Sequence, residues 1–185
     1  MNNKVLLHIC CGICAIEPAM SLAKEGFAVN GYFYNPNIHP FMEFQKRLKA
    51  VEIAAERLKA RPELPEFNMI FDKEYGLLPF LRLVAGKEDV RCPVCYRMRL
   101  EKTAELAAEN GYAFFSTTLL SSPHQNHGLL REIGDDTARQ FNISFLYRDM
   151  RGLHEESKKK AKKMSLYNQQ YCGCIFSEYD RYARE

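Results

Sequence analysis

Residues 5–15 read VLLHICCGICA, residues 17–24 read EPAMSLAK, and residues 27–35 read FAVNGYFYN. The first stretch opens with a mostly apolar segment, residues 5–10, that reads as a short buried strand. The second has helical spacing and runs to Gly26, a C-cap residue. The third is rich in β-branched and aromatic residues, which favour strands. A strand–helix–strand unit of this length predicts parallel pairing with a right-handed crossover. Working outward, strands are expected over 5–10, 27–35, 66–71, 112–119 and 143–147. Helices are expected over 17–24, 41–60, 77–85, 97–110, 129–140 and 153–167. Alternation of this kind reads as an α/β domain with a parallel sheet of about five strands. In open sheets of this type, sites form beyond the C-terminal strand ends, at the topological switch point. The loops CCGIC, NPNIHP and STTLLSSPHQNH should therefore share one rim.

All seven cysteines fall in three groups: Cys10, Cys11 and Cys14; Cys92 and Cys95; Cys172 and Cys174. The CC, CxxC and CxC spacings are those of thiolates gathered around metal. A four-thiolate centre leaves three sulfurs over, enough for a second site with an open position. A thioredoxin-like reading of RCPVC leaves the other two groups unexplained. Zinc ribbons use CxxC pairs at short separation. The wide separation here favours iron–sulfur, because thiolates of a cubane come from distant loops.

The chain has 185 residues, 46% hydrophobic and 26% charged, with a net charge of +3. That suits one soluble globular domain spanning 1–185. The mild positive charge permits an anionic partner without requiring one. No apolar run reaches the roughly 18 residues of a membrane span. His8 and Glu17 interrupt the N-terminal apolar stretch, so it reads as a first strand and not as a signal peptide. The expected location is therefore the cytoplasm, where thiols stay reduced and the chain is disulfide-free.

Other residues on the expected rim supply polar groups. Asn35, Asn37, Ser121, Ser122 and Gln125 are candidate substrate contacts, and His39, His124 and Tyr96 are candidate proton donors. Arg97 and Arg99 follow the CxxC and are candidates for phosphate. The run KKKAKK, with Lys158, Lys159 and Lys160 at its head, places five cations on one helix, and tyrosines follow it. Basic and aromatic residues together suit loop or single-stranded RNA.

LLHICCGICA, GYFYNPNIHP, RCPVCYRMRLEKTA and QQYCGCIFSEYD together resemble the QueH-type epoxyqueuosine reductases, across nearly the whole chain. The resemblance implies a Rossmann-like fold of the nucleotide α-hydrolase kind. It implies reduction of epoxyqueuosine to queuosine at the wobble position of tRNAs with GUN anticodons. It further implies a 4Fe–4S cluster and a neighbouring mononuclear iron, without cobalamin, supplied by a one-electron donor such as a ferredoxin or flavodoxin. On that basis Cys10, Cys11, Cys92 and Cys95 are assigned to the cluster. Cys14, Cys172 and Cys174 are assigned to the second iron, and an exchange of Cys14 with Cys10 or Cys11 stays open. Two departures stand out. CCGIC replaces the CCAPC common in the family, losing a proline and keeping every thiol, and SSPHQNH is this chain's own. Two competing readings are a zinc-stabilised RNA-binding module without redox activity and a tRNA-thiolating enzyme. The second needs a glycine- and serine-rich ATP loop after the first strand, which CCGIC does not provide.

Overall fold

The computed structural model describes residues 2–183. Its centre is a five-stranded, wholly parallel sheet in the order β3-β2-β1-β4-β5. The strands are β1 (Lys4–His8), β2 (Ala28–Phe33), β3 (Met69–Phe71), β4 (Phe114–Thr117) and β5 (Ser144–Phe145). Lys4 to His8 pair with Ala28 to Tyr32 on one side, and Val5 to His8 pair with Phe114 to Thr117 on the other. This is a Rossmann-like α/β arrangement, and the order reverses between β1 and β4.

Among the described residues seven α-helices accompany the sheet: α1 (Ile16–Lys24), α2 (Phe41–Lys59), α3 (Leu77–Val84), α4 (Arg91–Glu109), α5 (His127–Phe141), α6 (His154–Lys163) and α7 (Ile175–Tyr182). β1 divides the interior between two cores because successive strand residues point to opposite faces. Val5, Leu7 and Ile9 pack with Ile16, Ala19 and Leu22 of α1 and with Phe44, Leu48 and Val51 of α2. Leu6 faces the other way, onto Leu100 and Ala104 of α4 and Leu130 and Ile133 of α5. Val5, Leu6 and Leu7 have no exposed surface. Their burial on both faces accounts for the unbroken apolar run at residues 5–7.

Several boundaries differ from the expected ones. The paired strands stop at His8, Phe33 and Thr117, short of Cys10, Asn35 and Leu119. The residues beyond leave the sheet to build the rim, and 118–121 form a 3-10 turn. The CPVC segment, expected as a loop ahead of a helix at 97, lies inside the first turn of α4. Pro93 fits there because first-turn N–H groups have no intrahelical acceptor to lose. Helix α6 ends at Lys163. Helix α7 has no counterpart among the expected elements. Asn126 caps α5 by accepting a hydrogen bond from the Leu129 N–H at 3.0 Å. Among the described residues, no helix is long and apolar enough to cross a membrane.

Candidate metal centre

The first cysteine group sits at the switch point between β1 and β4. The Cys10 N–H donates to Thr118 Oγ1 at 3.1 Å, and the Thr118 hydroxyl donates to Cys10 Sγ at 3.4 Å. The loop then turns against α2: a Cβ added at Gly12 would lie 2.7 Å from the Ala50 carbonyl oxygen. Only glycine permits that approach. The turn aims three side chains inward, and the sulfurs of Cys10, Cys11 and Cys14 all lie within 4.8 Å of one another. Cys10 Sγ lies 3.7 Å from Cys11 Sγ, and its hydrogen bonding with Cys11 and then Cys14 holds the Cys10 pKa well below its ordinary value. The same contact with Cys10 pushes the Cys11 thiol up to about 12. Cys14 is raised for the same reason.

The second group occupies the start of α4. Cys95 is buried in an apolar nest with Phe80, Val84 and Cys174. Burial pushes its thiol up to about 12, against the pull of the Arg99 charge. One turn along the helix, Arg99 Nη2 donates to Cys95 Sγ at 2.8 Å and Nε donates to the Cys95 carbonyl at 3.3 Å. Cys92 is also raised by burial, and next by the nearby Cys172 thiol.

The third group is strapped onto α2. Arg47 is 2% exposed. Its Nη1 and Nη2 donate to the carbonyls of Cys172 and Tyr171, both at 2.8 Å, and its Nε donates to Glu43 at 2.7 Å. The Tyr167 hydroxyl donates to the other Glu43 oxygen. The His39 N–H donates to the Gly173 carbonyl at 2.8 Å, and the Tyr171 hydroxyl donates to the His39 carbonyl at 2.6 Å. Gly173 sits at φ +142°, where a Cβ would lie 3.1 Å from Arg47 Nη1. Both the backbone conformation and the seat on Arg47 thus require glycine. Two amides complete the sulfur contacts. Gln125 Nε2 donates to Cys172 Sγ at 3.4 Å, and Gln169 Nε2 donates to Cys11 Sγ at 3.1 Å.

The first and third groups border a cavity of about 540 Å³ whose wall includes Cys10, Cys14, Cys172, Arg47 and Arg99, and the second group adjoins it through Cys95, which touches Arg99 and shares its nest with Cys174. Of the residues named from sequence, Ser122, His124, Gln125 and Lys158 also border it. Tyr96 stands behind Gln125, its hydroxyl donating to Gln125 Oε1 at 2.8 Å. Burial pushes the Tyr96 phenol up to about 12. Asn35, Asn37, His39 and Ser121 are each 1% exposed and lie beneath the rim. Asn35 is spent on the Ile9 carbonyl and Ser121 on the Thr118 carbonyl. Arg97 is exposed and faces Glu101. Lys158 pairs with Glu155, and Lys160 bridges Glu17 and Glu156 at 2.8 Å each. Lys159 is exposed on α6. Arg47 and Gln169 were not singled out by sequence. Arg47 reads there as one half of an i,i+4 surface pair, and Gln169 carries no signal.

His39 has a measurable consequence. Its ring packs against Tyr75 and Phe80, and neither ring nitrogen has a hydrogen-bond partner. Burial lowers its pKa from 6.5 to about 4. Between those values the unfolded chain binds a proton that the folded chain refuses. Stability is therefore full above pH 6.5 and drains as the pH falls toward 4. Thermal unfolding of His39→Phe should show a shallower loss over that range than the parent. Equal slopes would place the acid lability elsewhere.

A family model described as "Epoxyqueuosine reductase QueH" matches residues 5–180. An epoxyqueuosine reductase QueH from Dehalococcoides mccartyi is 40% identical over 185 residues, covering all of this chain and 97% of the relative. One from Thermotoga maritima is 31% identical, covering 96% of this chain and 91% of the relative. Among solved structures, a predicted subunit of tRNA methyltransferase from Methanocaldococcus jannaschii superposes with a TM-score of 0.51 at 12% identity. It covers 90% of this chain and 93% of that chain, a likeness of fold alone.

Proposed function

The chain belongs to the epoxyqueuosine reductase QueH family, and from that premise we propose that it reduces epoxyqueuosine in tRNA to queuosine. Converting the epoxide to the cyclopentene consumes two electrons and two protons and releases water. The observation that carries this reading is that cysteine groups far apart in sequence come together at the switch point: Cys10, Cys14 and Cys172 on one cavity wall, and Cys95 packed with Cys174 beside it.

The donor set fits an iron–sulfur centre. Thiolates are soft ligands, and three of these sulfurs already lie within 4.8 Å of one another. In this reading Cys10, Cys11, Cys92 and Cys95 hold a 4Fe–4S cluster, and Cys14, Cys172 and Cys174 hold a single iron. Cys14 touches the Cys10–Cys11 pair, and Cys174 shares a nest with Cys95, so the two sets would share a wall. Bound there, the metals supply electrons one at a time and a Lewis-acid position at the epoxide.

The protein's own groups do the rest. In this reading His124, exposed at the cavity edge, protonates the departing oxygen. Ser122 and Gln125 offer hydrogen bonds to the cyclopentane hydroxyls. In this reading Lys158 and Lys159 contact the RNA backbone, their charge attracting phosphate. The substrate is a tRNA with a GUN anticodon, the electron source is a ferredoxin or flavodoxin, and the setting is the cytoplasm. Cobalamin has no part in this scheme.

Metal and sulfide analysis of anaerobically prepared protein, followed by a tRNA reduction assay, tests the reading. About five irons and four sulfides per chain are expected, with thiolate–iron charge-transfer absorbance. Stoichiometric zinc without sulfide would replace the redox enzyme with a zinc-stabilised RNA-binding module.

A further inference from the structure

Two buried arginines face the cavity, and they differ in what balances them. Arg47 and Arg99 are both 2% exposed. Arg47 carries its own carboxylate, Glu43, at 2.7 Å. Among the described residues, Arg99 forms no ion pair with a carboxylate. Its side-chain hydrogen bonds run to Cys95, at the sulfur and at the carbonyl. Taking a guanidinium out of water costs several kcal/mol unless an anion repays it. The groups within reach that metal binding would turn into anions are sulfurs: Cys95, which Arg99 touches at 2.8 Å, and Cys172 and Cys10, which border the same cavity. Arg99 thus sits against the second cysteine group, and part of its surface lines the cavity that Cys10, Cys14 and Cys172 border.

We propose that Arg99 is a potential-setting residue, an uncompensated cation held against the cysteine sulfurs so that the centre accepts an electron more readily. The inference rests on the iron–sulfur reading above. An added electron increases the negative charge of a thiolate-bound centre. A fixed cation at one of its sulfurs favours the reduced form, and the dry surroundings screen that effect little. The N–H···S bond at 2.8 Å acts in the same direction. The i,i+4 relation of Cys95 and Arg99 on α4 fixes the contact through the helix itself, independently of loop position.

The test is a potentiometric titration of loaded protein, followed by visible absorbance and electron paramagnetic resonance, on the parent and on Arg99→Lys, Arg99→Gln and Arg99→Met. Gln keeps a donor without the charge, Met removes both, and Lys keeps the charge without the fork. The expected result is a midpoint moved to more negative potential in Gln and further in Met, with Lys close to the parent. Loss of the cluster in Gln and Met with retention in Lys would also support the proposal, by showing that assembly needs the cation. A Met variant with full cluster and parental potential overturns it. So does loss of the cluster in all three variants, which would make Arg99 a packing residue. A parent protein holding zinc and no sulfide overturns the iron–sulfur reading and this inference with it.

Discussion

Cys172→Ala is expected to abolish conversion of epoxyqueuosine to queuosine, by at least about 1000-fold in kcat/KM, on the order of 4 kcal/mol of barrier. The visible absorbance of the cubane should stay near that of the parent. The argument begins with exposure. Cys172 is an exposed cysteine on the cavity wall, whereas Cys11, Cys14, Cys95 and Cys174 are buried. Truncating an exposed thiol leaves little void, so the folding cost should fall within about 0.5 kcal/mol. Its sulfur receives only the Gln125 amide, and its carbonyl, which Arg47 holds, is untouched by the change. The expected loss is therefore chemical. Cys10→Ala makes the contrast. That sulfur belongs to the close trio, and removing it should take the cubane absorbance away together with turnover. Iron and sulfide counts on both variants, with nucleoside analysis of the treated tRNA, decide the matter. A Cys172→Ala protein that loses the cubane would move Cys172 among the cluster ligands.

The alternation of apolar runs with helical spacing was enough to read the sheet, because β1 is buried on both faces and shows it as VLL. The cysteine grouping pointed to one rim for a similar reason: strand ends and crossover handedness bring those loops together whatever their sequence. What stayed hidden was the direction of side chains. NPNIHP looks like exposed loop, yet the third cysteine group lies over it and draws His39 and Asn37 inside. CPVC looks like a break because of its proline, yet the first turn of a helix tolerates proline. That difference puts Arg99 one turn from Cys95, facing sulfur, where the sequence suggested phosphate. Cys14 stands with Cys10 and Cys11, and adjacent cysteines cannot be aimed from spacing alone. The pair Glu43 and Arg47 has the spacing of a solvated ion pair, and only the chain folded above it makes the pair interior.

Burial of that pair sets up the other large expected effect, that of Arg47→Met. The substitution leaves the carbonyls of Tyr171 and Cys172 without donors and strands Glu43, 6% exposed, beside the Tyr167 hydroxyl. Breaking a buried pair from one side costs about 3–5 kcal/mol. The melting temperature of the metal-free protein should fall clearly, and turnover should be lost with it. Stability and positioning can then be separated. Arg47→Lys restores a charge opposite Glu43 but cannot reach two carbonyls and a carboxylate with one ammonium. It should recover part of the stability and little of the turnover. Arg47→Met combined with Glu43→Leu removes the stranded charge as well, and apolar replacement of a whole buried pair is often neutral in stability. That double variant should melt near the parent and still fail to turn over, because nothing then holds the carbonyls that place Cys172 on the cavity wall. Recovery of turnover together with stability in the double variant would reduce Arg47 to a residue of the fold. Continued inactivity in a stable protein would establish that the guanidinium is the seat of the CxC loop.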